Sequence, residues 1–187
     1  MRFISLTISI VFILISFLAL NIKRKKNIFI FDIDNTICDT WKSLPRTKTR
    51  DLSYIINERK RVNNLLIFPR VKELLNEKID NNKNAVFLLS ARNIYLWDKT
   101  YNYFRNNNLK ISIFSIFLTP KPNDKLILLR LILFLKNKEQ KINYYDDLSY
   151  NHEYGNVFYY NHIINNVRKM NLKYYDYSYI KKLQEFN

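Results

Sequence analysis

Two carboxylates stand two residues apart in NIFIFDIDNTICDT (27–40), where Asp32 and Asp34 follow the apolar run Ile28, Phe29, Ile30, Phe31. A strand that ends in acids has a plain explanation. Asp, Asn and Thr bond locally to the backbone and favour turns. A chemical explanation needs partners, and three other apolar runs end in candidates. NAVFLLSAR ends in Ser90, Ala91 and Arg92. ISIFSIFL leads into TPKPNDK, with Lys121 and Lys125, and INYYDD ends in Asp146 and Asp147. If the four runs are parallel strands, their ends gather two acids, a hydroxyl, an ammonium and two more acids. That set suits phosphoryl transfer through an aspartyl-phosphate. One carboxylate attacks phosphorus and another handles protons. Acids across the site hold Mg²⁺, which prefers oxygen ligands. A hydroxyl and a lysine bind the phosphoryl oxygens as charge develops.

The elements between these runs must bring the ends together. Short, continuous apolar runs are the pattern of strands buried on both faces of a parallel sheet. Helical patterns alternate with them. Pro69 opens PRVKELLNEKIDNN, with Val71, Leu74, Leu75 and Ile79 on one face. A second helix is predicted over roughly Ile94 to Asn106. A third is predicted from Asp124, a candidate N-cap, to about Lys138. Its LILLRLILFL stretch is too short to span a bilayer and reads as a helix buried against the sheet. Strand–helix alternation predicts an α/β fold, a three-layer Rossmann-like sandwich with a parallel sheet. Ligands in such sheets bind at the carboxyl ends of the strands, where the acids lie.

DIDNT, LLSAR, a lysine at a helix start and YYDD, in that order over residues 27–150, resemble the four-motif signature of the haloacid dehalogenase-like superfamily. The resemblance implies a phosphatase, a phosphoric monoester hydrolase. Asp32 would be the nucleophile and Asp34 the general acid/base. Thr36 would support the motif loop beside the substrate, and Ser90 would hydrogen-bond the phosphoryl group. Asp146 and Asp147 would hold Mg²⁺ with Asp32 and the main-chain carbonyl of Asp34. The phosphate-binding lysine is Lys125 or Lys121, with Lys125 preferred. Arg92 either binds substrate or pairs with an acid. His152 and Glu153 in NHEYG are either catalytic or structural. Trp41, Arg46 and Arg50 lie where a substrate entrance would be. The tyrosine-rich tail, NVFYYN and NLKYYDYSYIKKL, predicts an edge strand and a closing helix.

Phe3 to Ile22 carries no charge, and about 20 such residues span a bilayer core. A cleavable signal peptide is the alternative, but the run is long for one and lacks a clear cleavage site. Lys23–Lys26 follow at once and would stay in the cytoplasm. The expectation is a transmembrane anchor over 1–22 and a cytoplasmic catalytic domain over 23–187. The insert over 38–68 is too short for a large cap. An open site suits a phosphorylated small molecule or a polymer end. Of the 187 residues, 48% are hydrophobic and 25% charged, which fits one globular domain. The single cysteine, Cys38, rules out an internal disulfide framework. The net charge of +15 is spread along the chain and is weak support for a nucleic-acid partner. Two alternatives stand beside the anchored phosphatase: a nucleic-acid end-processing phosphatase, and a non-catalytic anchored scaffold that binds phosphorylated partners.

Overall fold

The computed structural model describes residues 15–43 and 52–185. Five parallel strands form the central sheet: β1 (Asn27–Phe31), β4 (Asn84–Ser90), β5 (Ile116–Leu118), β6 (Lys141–Tyr145) and β9 (Lys173–Tyr175). Their order is β5-β4-β1-β6-β9, and every pairing is parallel. This is the Rossmann-like α/β arrangement expected from the sequence. The chain runs outward from β1 through β4 to β5, then crosses back to β6 and on to β9. The connections therefore diverge at β1 and β6, and that divergence opens a crevice at their carboxyl ends.

Both faces of the sheet are covered, which is why the strands read as unbroken apolar runs. Phe29 and Phe31 pack into one layer with Val71 and Leu75 of α3 (Pro69–Asp80) and Tyr103 and Phe104 of α4 (Trp97–Asn106). Ile28 and Ile30 point the other way, as strand alternation requires. They meet Leu126, Leu129 and Ile132 of α5 (Lys125–Leu135) and Ile163 and Val167 of α6 (Asn161–Arg168). Pro69 opens α3 as predicted, whereas the second helix opens with a 3-10 turn over Ile94–Leu96 and α4 itself begins at Trp97. Asp124 precedes α5 but makes no side-chain cap to it, and the helix ends at Leu135 rather than Lys138. Nor is α5 wholly buried: Ile127 and Phe134 are exposed.

The predicted anchor lies partly in residues 1–14, outside the described residues. Among the described residues, no helix is long and apolar enough to cross a membrane. The described end of the run is helical over residues 15–23 and belongs to the domain. Leu18 and Ile22 are buried in the α5–α6 layer, and the Phe17 ring lies 4.5 Å from that of Phe114. Gln140 Nε2 donates to the carbonyls of Ile22 and Lys25, tying this helix to the start of β6. The folded unit thus takes in residues that the sequence reading gave to the anchor. Residues 3–14, the rest of the uncharged run, would make about 18 Å of helix. A hydrocarbon core is about 30 Å thick. A single span over Phe3–Ile22 therefore competes with this packing.

A two-stranded ribbon pairs β2 (Cys38–Asp39) with β3 (Leu66–Ile67), and α2 (Leu52–Val62) lies between them. A second ribbon after β6 pairs β7 (Ser149–Tyr150) with β8 (Phe158–Tyr159). The tail supplies the edge strand β9 and the closing helix α7 (Tyr177–Glu185) that its pattern predicted.

Candidate active site

The register that pairs β1 with both β4 and β6 brings Asp32 level with Asp146 and with Leu89, so that Ser90 stands one residue further along at the carboxyl edge. Asp32 N donates to Tyr145 O at 2.7 Å, continuing the β1–β6 ladder one residue past the strand. The loop then turns sharply. Asn35 has φ +58°, a left-handed conformation that Asn tolerates, and its N–H bonds to Cys38 O. On the facing loop Leu148 also takes a positive φ, +43°, which is costly for a branched side chain. Its N–H donates to Asp146 Oδ1 at 2.9 Å, which fixes that carboxylate.

Lys125 is at the centre. Its ammonium donates to Asp32 Oδ1 and to Asp146 Oδ2, each at 2.7 Å, and all three side chains are buried. Lys121 is exposed and its main chain caps the turn before α5. Of the two lysines the sequence offered, the structure brings Lys125 to the acids. Burial pulls the Lys125 ammonium down, but Asp146 and Asp32 outweigh it and hold it charged well above the ordinary range. Burial and the charge of Asp146 push Asp32 well above the carboxylate range, against the pull of Lys125. Burial also raises Asp147. One oxygen from each of Asp32, Asp146 and Asp147 lies within 4.8 Å of the others, among the described residues. Three buried carboxylates on one point are a hard, oxygen-rich donor set, and they fit a divalent cation such as Mg²⁺. The Asp34 side chain is not part of this group.

Asp34 is instead gripped from behind. Arg92 donates Nε to Asp34 Oδ2 and a terminal nitrogen to Oδ1, each at 2.8 Å. Ser90 Oγ donates to Oδ2 at 2.7 Å and Thr40 Oγ1 to Oδ1 at 2.8 Å. Burial would raise this carboxyl, but the Arg92 charge and these donors prevail and hold it well below the usual range. Asp34 is therefore ionised at neutral pH.

The three residues assigned to substrate binding all bond to acids. Ser90 and Arg92 hold Asp34, and Thr36 Oγ1 donates to Asp147 Oδ1 at 3.4 Å. None of them lines the cavity in front of the acids, which is about 220 Å³. Its walls include Asp32, Asp34, Lys125, Asp147, Pro122 and Tyr160. His152 is buried behind Asp147. Its Nε2 lies 2.6 Å from Ser149 Oγ, which donates to Asp147 Oδ2. The other ring nitrogen, Nδ1, is buried without a hydrogen-bond partner among the described residues. The Trp41 ring packs edge-on to His152 at 4.9 Å, so both residues sit in the wall behind Asp147. Arg46, Arg50 and the Glu153 side chain lie outside the described residues.

Sequence reasoning missed Thr40, Ser149 and Tyr144, whose hydroxyl donates to Asp146 Oδ2. Two of these had a readable signal. Ser149 is two residues after an acid, the spacing of local side-chain bonding. Tyr144 is two before Asp146, on the same side of the chain. Thr40 had none, because only the ribbon brings it back to Asp34.

No protein-family model and no curated protein matches this chain.

Proposed function

We propose that the chain is a Mg²⁺-dependent phosphomonoester hydrolase of the haloacid dehalogenase-like type, working through an aspartyl-phosphate on Asp32. One observation carries this reading: a buried ammonium bridges Asp32 and Asp146 beside Asp147, at the floor of a polar cavity on the carboxyl edge of the sheet. Asp32, Asp146 and Asp147 would hold the cation, which when bound neutralises phosphoryl charge as a Lewis acid. Asp32 would be left ionised by a cation balancing Asp146 and Asp147; its oxygen attacks phosphorus, and the ester P–O bond breaks with its electron pair on the leaving oxygen. That oxygen departs as an anion and takes its proton from solvent, since Arg92 keeps Asp34 ionised. Water then attacks the phosphorus of the acyl phosphate and gives a proton to Asp34. The bond from Asp32 to phosphorus breaks, releasing phosphate and restoring the carboxylate. Lys125 holds Asp32 in line and meets the phosphoryl charge.

Arg92 keeps Asp34 ionised, which suits it to accept the proton of the second step. The first step is then easiest for leaving groups that need no proton. An aryl phosphate is therefore the right probe. Phosphate release from it should require Mg²⁺ and vanish in Asp32→Asn. Release that survives Asp32→Asn removes the nucleophile from the account.

The same reading attaches the domain to a membrane through the uncharged residues before the packed helix, on the side of Lys23–Lys26. Its support is the apolar run and the adjoining basic cluster. The full chain should float with lipid vesicles, and a chain beginning at residue 15 should not. Equal behaviour of the two removes the attachment.

A further inference from the structure

A second cavity, about 270 Å³, shares Asp147 with the first. Its walls carry the rings of Tyr159 and Tyr177, the amides of Asn161 and Asn165, and the guanidinium of Arg168. The two rings stand edge to face, 5.7 Å between centroids. Arg168 reaches Asp176 only at 4.0 Å and keeps donors for another acceptor.

The β7–β8 ribbon runs between the cavities. Ser149 and Tyr160 line the first, and Tyr159 lines the second. The ribbon and its connecting turn expose Tyr150, Tyr154, Phe158 and Tyr159, each 42–53% accessible. Rings placed for packing alone are buried. Tyr150 does stack with Phe158 at 5.6 Å and with Tyr160 at 4.7 Å, yet these rings keep large accessible faces. Open ring faces, amides that donate and accept, and a guanidinium beside a phosphate site are the components that hold nucleobases. The +15 net charge adds a pull on polyanions.

We propose that the Tyr159–Tyr177 cavity and the β7–β8 ribbon hold nucleobases of the substrate, so that the phosphate at Asp32 is the terminal phosphate of a nucleotide or of a single strand. The position of that phosphate rests on the hydrolase reading, but base recognition does not.

The test therefore measures binding without turnover. The full chain carrying Asp32→Asn, with Mg²⁺, is titrated into a labelled single-stranded hexanucleotide ending in a phosphate. An abasic strand of the same length and charge is titrated in parallel. The base-bearing strand should bind about tenfold tighter or more, and Tyr159→Ala should remove most of that preference. Should Tyr159→Ala not fold by circular dichroism, the exposed Arg168→Gln takes its place. Adenosine monophosphate as unlabelled competitor separates the two sources. Displacement at similar concentrations makes the ligand a free nucleotide, and displacement only by unlabelled strand makes it a strand end. Equal binding of the base-bearing and abasic strands overturns the proposal, as does a preference untouched by the variants. Absence of aryl phosphate hydrolysis by the unsubstituted chain, measured separately, would count against the hydrolase reading alone.

Discussion

Replacing Lys125 by methionine keeps the four-atom stem of the side chain and removes its ammonium, which leaves Asp32 and Asp146 facing each other. Both bonds from Lys125 are 2.7 Å long, and all three side chains are at most 5% exposed. Removing one partner of a buried ion pair costs about 3–5 kcal/mol, because the remaining charge is buried without compensation. Protonation of Asp32, whose carboxyl is already pushed up, lets one of the two acids neutralise. The loss should therefore fall near the lower end, about 3 kcal/mol. For a domain of this size each kcal/mol moves Tm by about 2–4 °C, so Lys125→Met should melt about 6–12 °C lower. Mg²⁺ at a hundred times its Kd adds about 2.7 kcal/mol to whichever chain binds it, so the Tm of the variant itself should rise when Mg²⁺ is added. Asp32→Asn together with Lys125→Met should lose less than the sum of the single changes, because the two side chains are in contact. The assay is thermal melting by circular dichroism, with Mg²⁺ and with chelator. A drop in Tm under about 2 °C refutes the reasoning. So does a Tm of the variant that Mg²⁺ leaves unchanged.

Other outcomes follow from the same geometry. Arg92→Gln should raise the Asp34 carboxyl, since only the Ser90 and Thr40 donors then oppose burial; a carbon-13 carboxyl titration reads it directly. Asp32 and Asp147 are raised, so between about pH 4 and their folded values the native state binds more protons than the unfolded chain. In chelator Tm should therefore fall as pH rises through that window, and Mg²⁺ should flatten the fall. Asp34 is lowered, so its contribution is fully present above about pH 4 and is lost only in stronger acid. Burial pushes the Cys38 thiol up to about 12, so a thiol reagent at neutral pH should label it only after unfolding.

The sheet was legible because its strands are buried on both faces. An uninterrupted run such as Ile28–Phe31 has few other homes, and the acids at its end mark the edge where chemistry collects. The third run was legible only in part. ISIFSIFL reads as one strand, but Ile113–Ser115 forms a 3-10 turn and pairing begins at Ile116. Ser112 accepts from Phe114 N, a local bond that competes with the ladder. The end of α5 was misplaced because Asn137 N bonds to the Gln140 side chain, which also reaches Ile22 and Lys25 far away in the chain. The apolar run before Lys23 satisfies a bilayer and a protein core equally, and only contact with the sheet separates the two. Within the site, residue types and strand ends predicted which groups meet, but not which acid each donor would hold. Arg92 follows Ser90 at the strand end, and only the folded edge turns it onto Asp34.

The central claim is that phosphate passes through Asp32, and chemical trapping addresses it most directly. Turnover of an aryl phosphate with Mg²⁺ is quenched in hydroxylamine, which converts an acyl phosphate to a hydroxamate, and the chain is mapped by peptide mass spectrometry. The account predicts a hydroxamate on Asp32 that appears only when substrate and Mg²⁺ are both present. Phosphate release with Asp32 unmodified, or with the hydroxamate on another carboxylate, would contradict it.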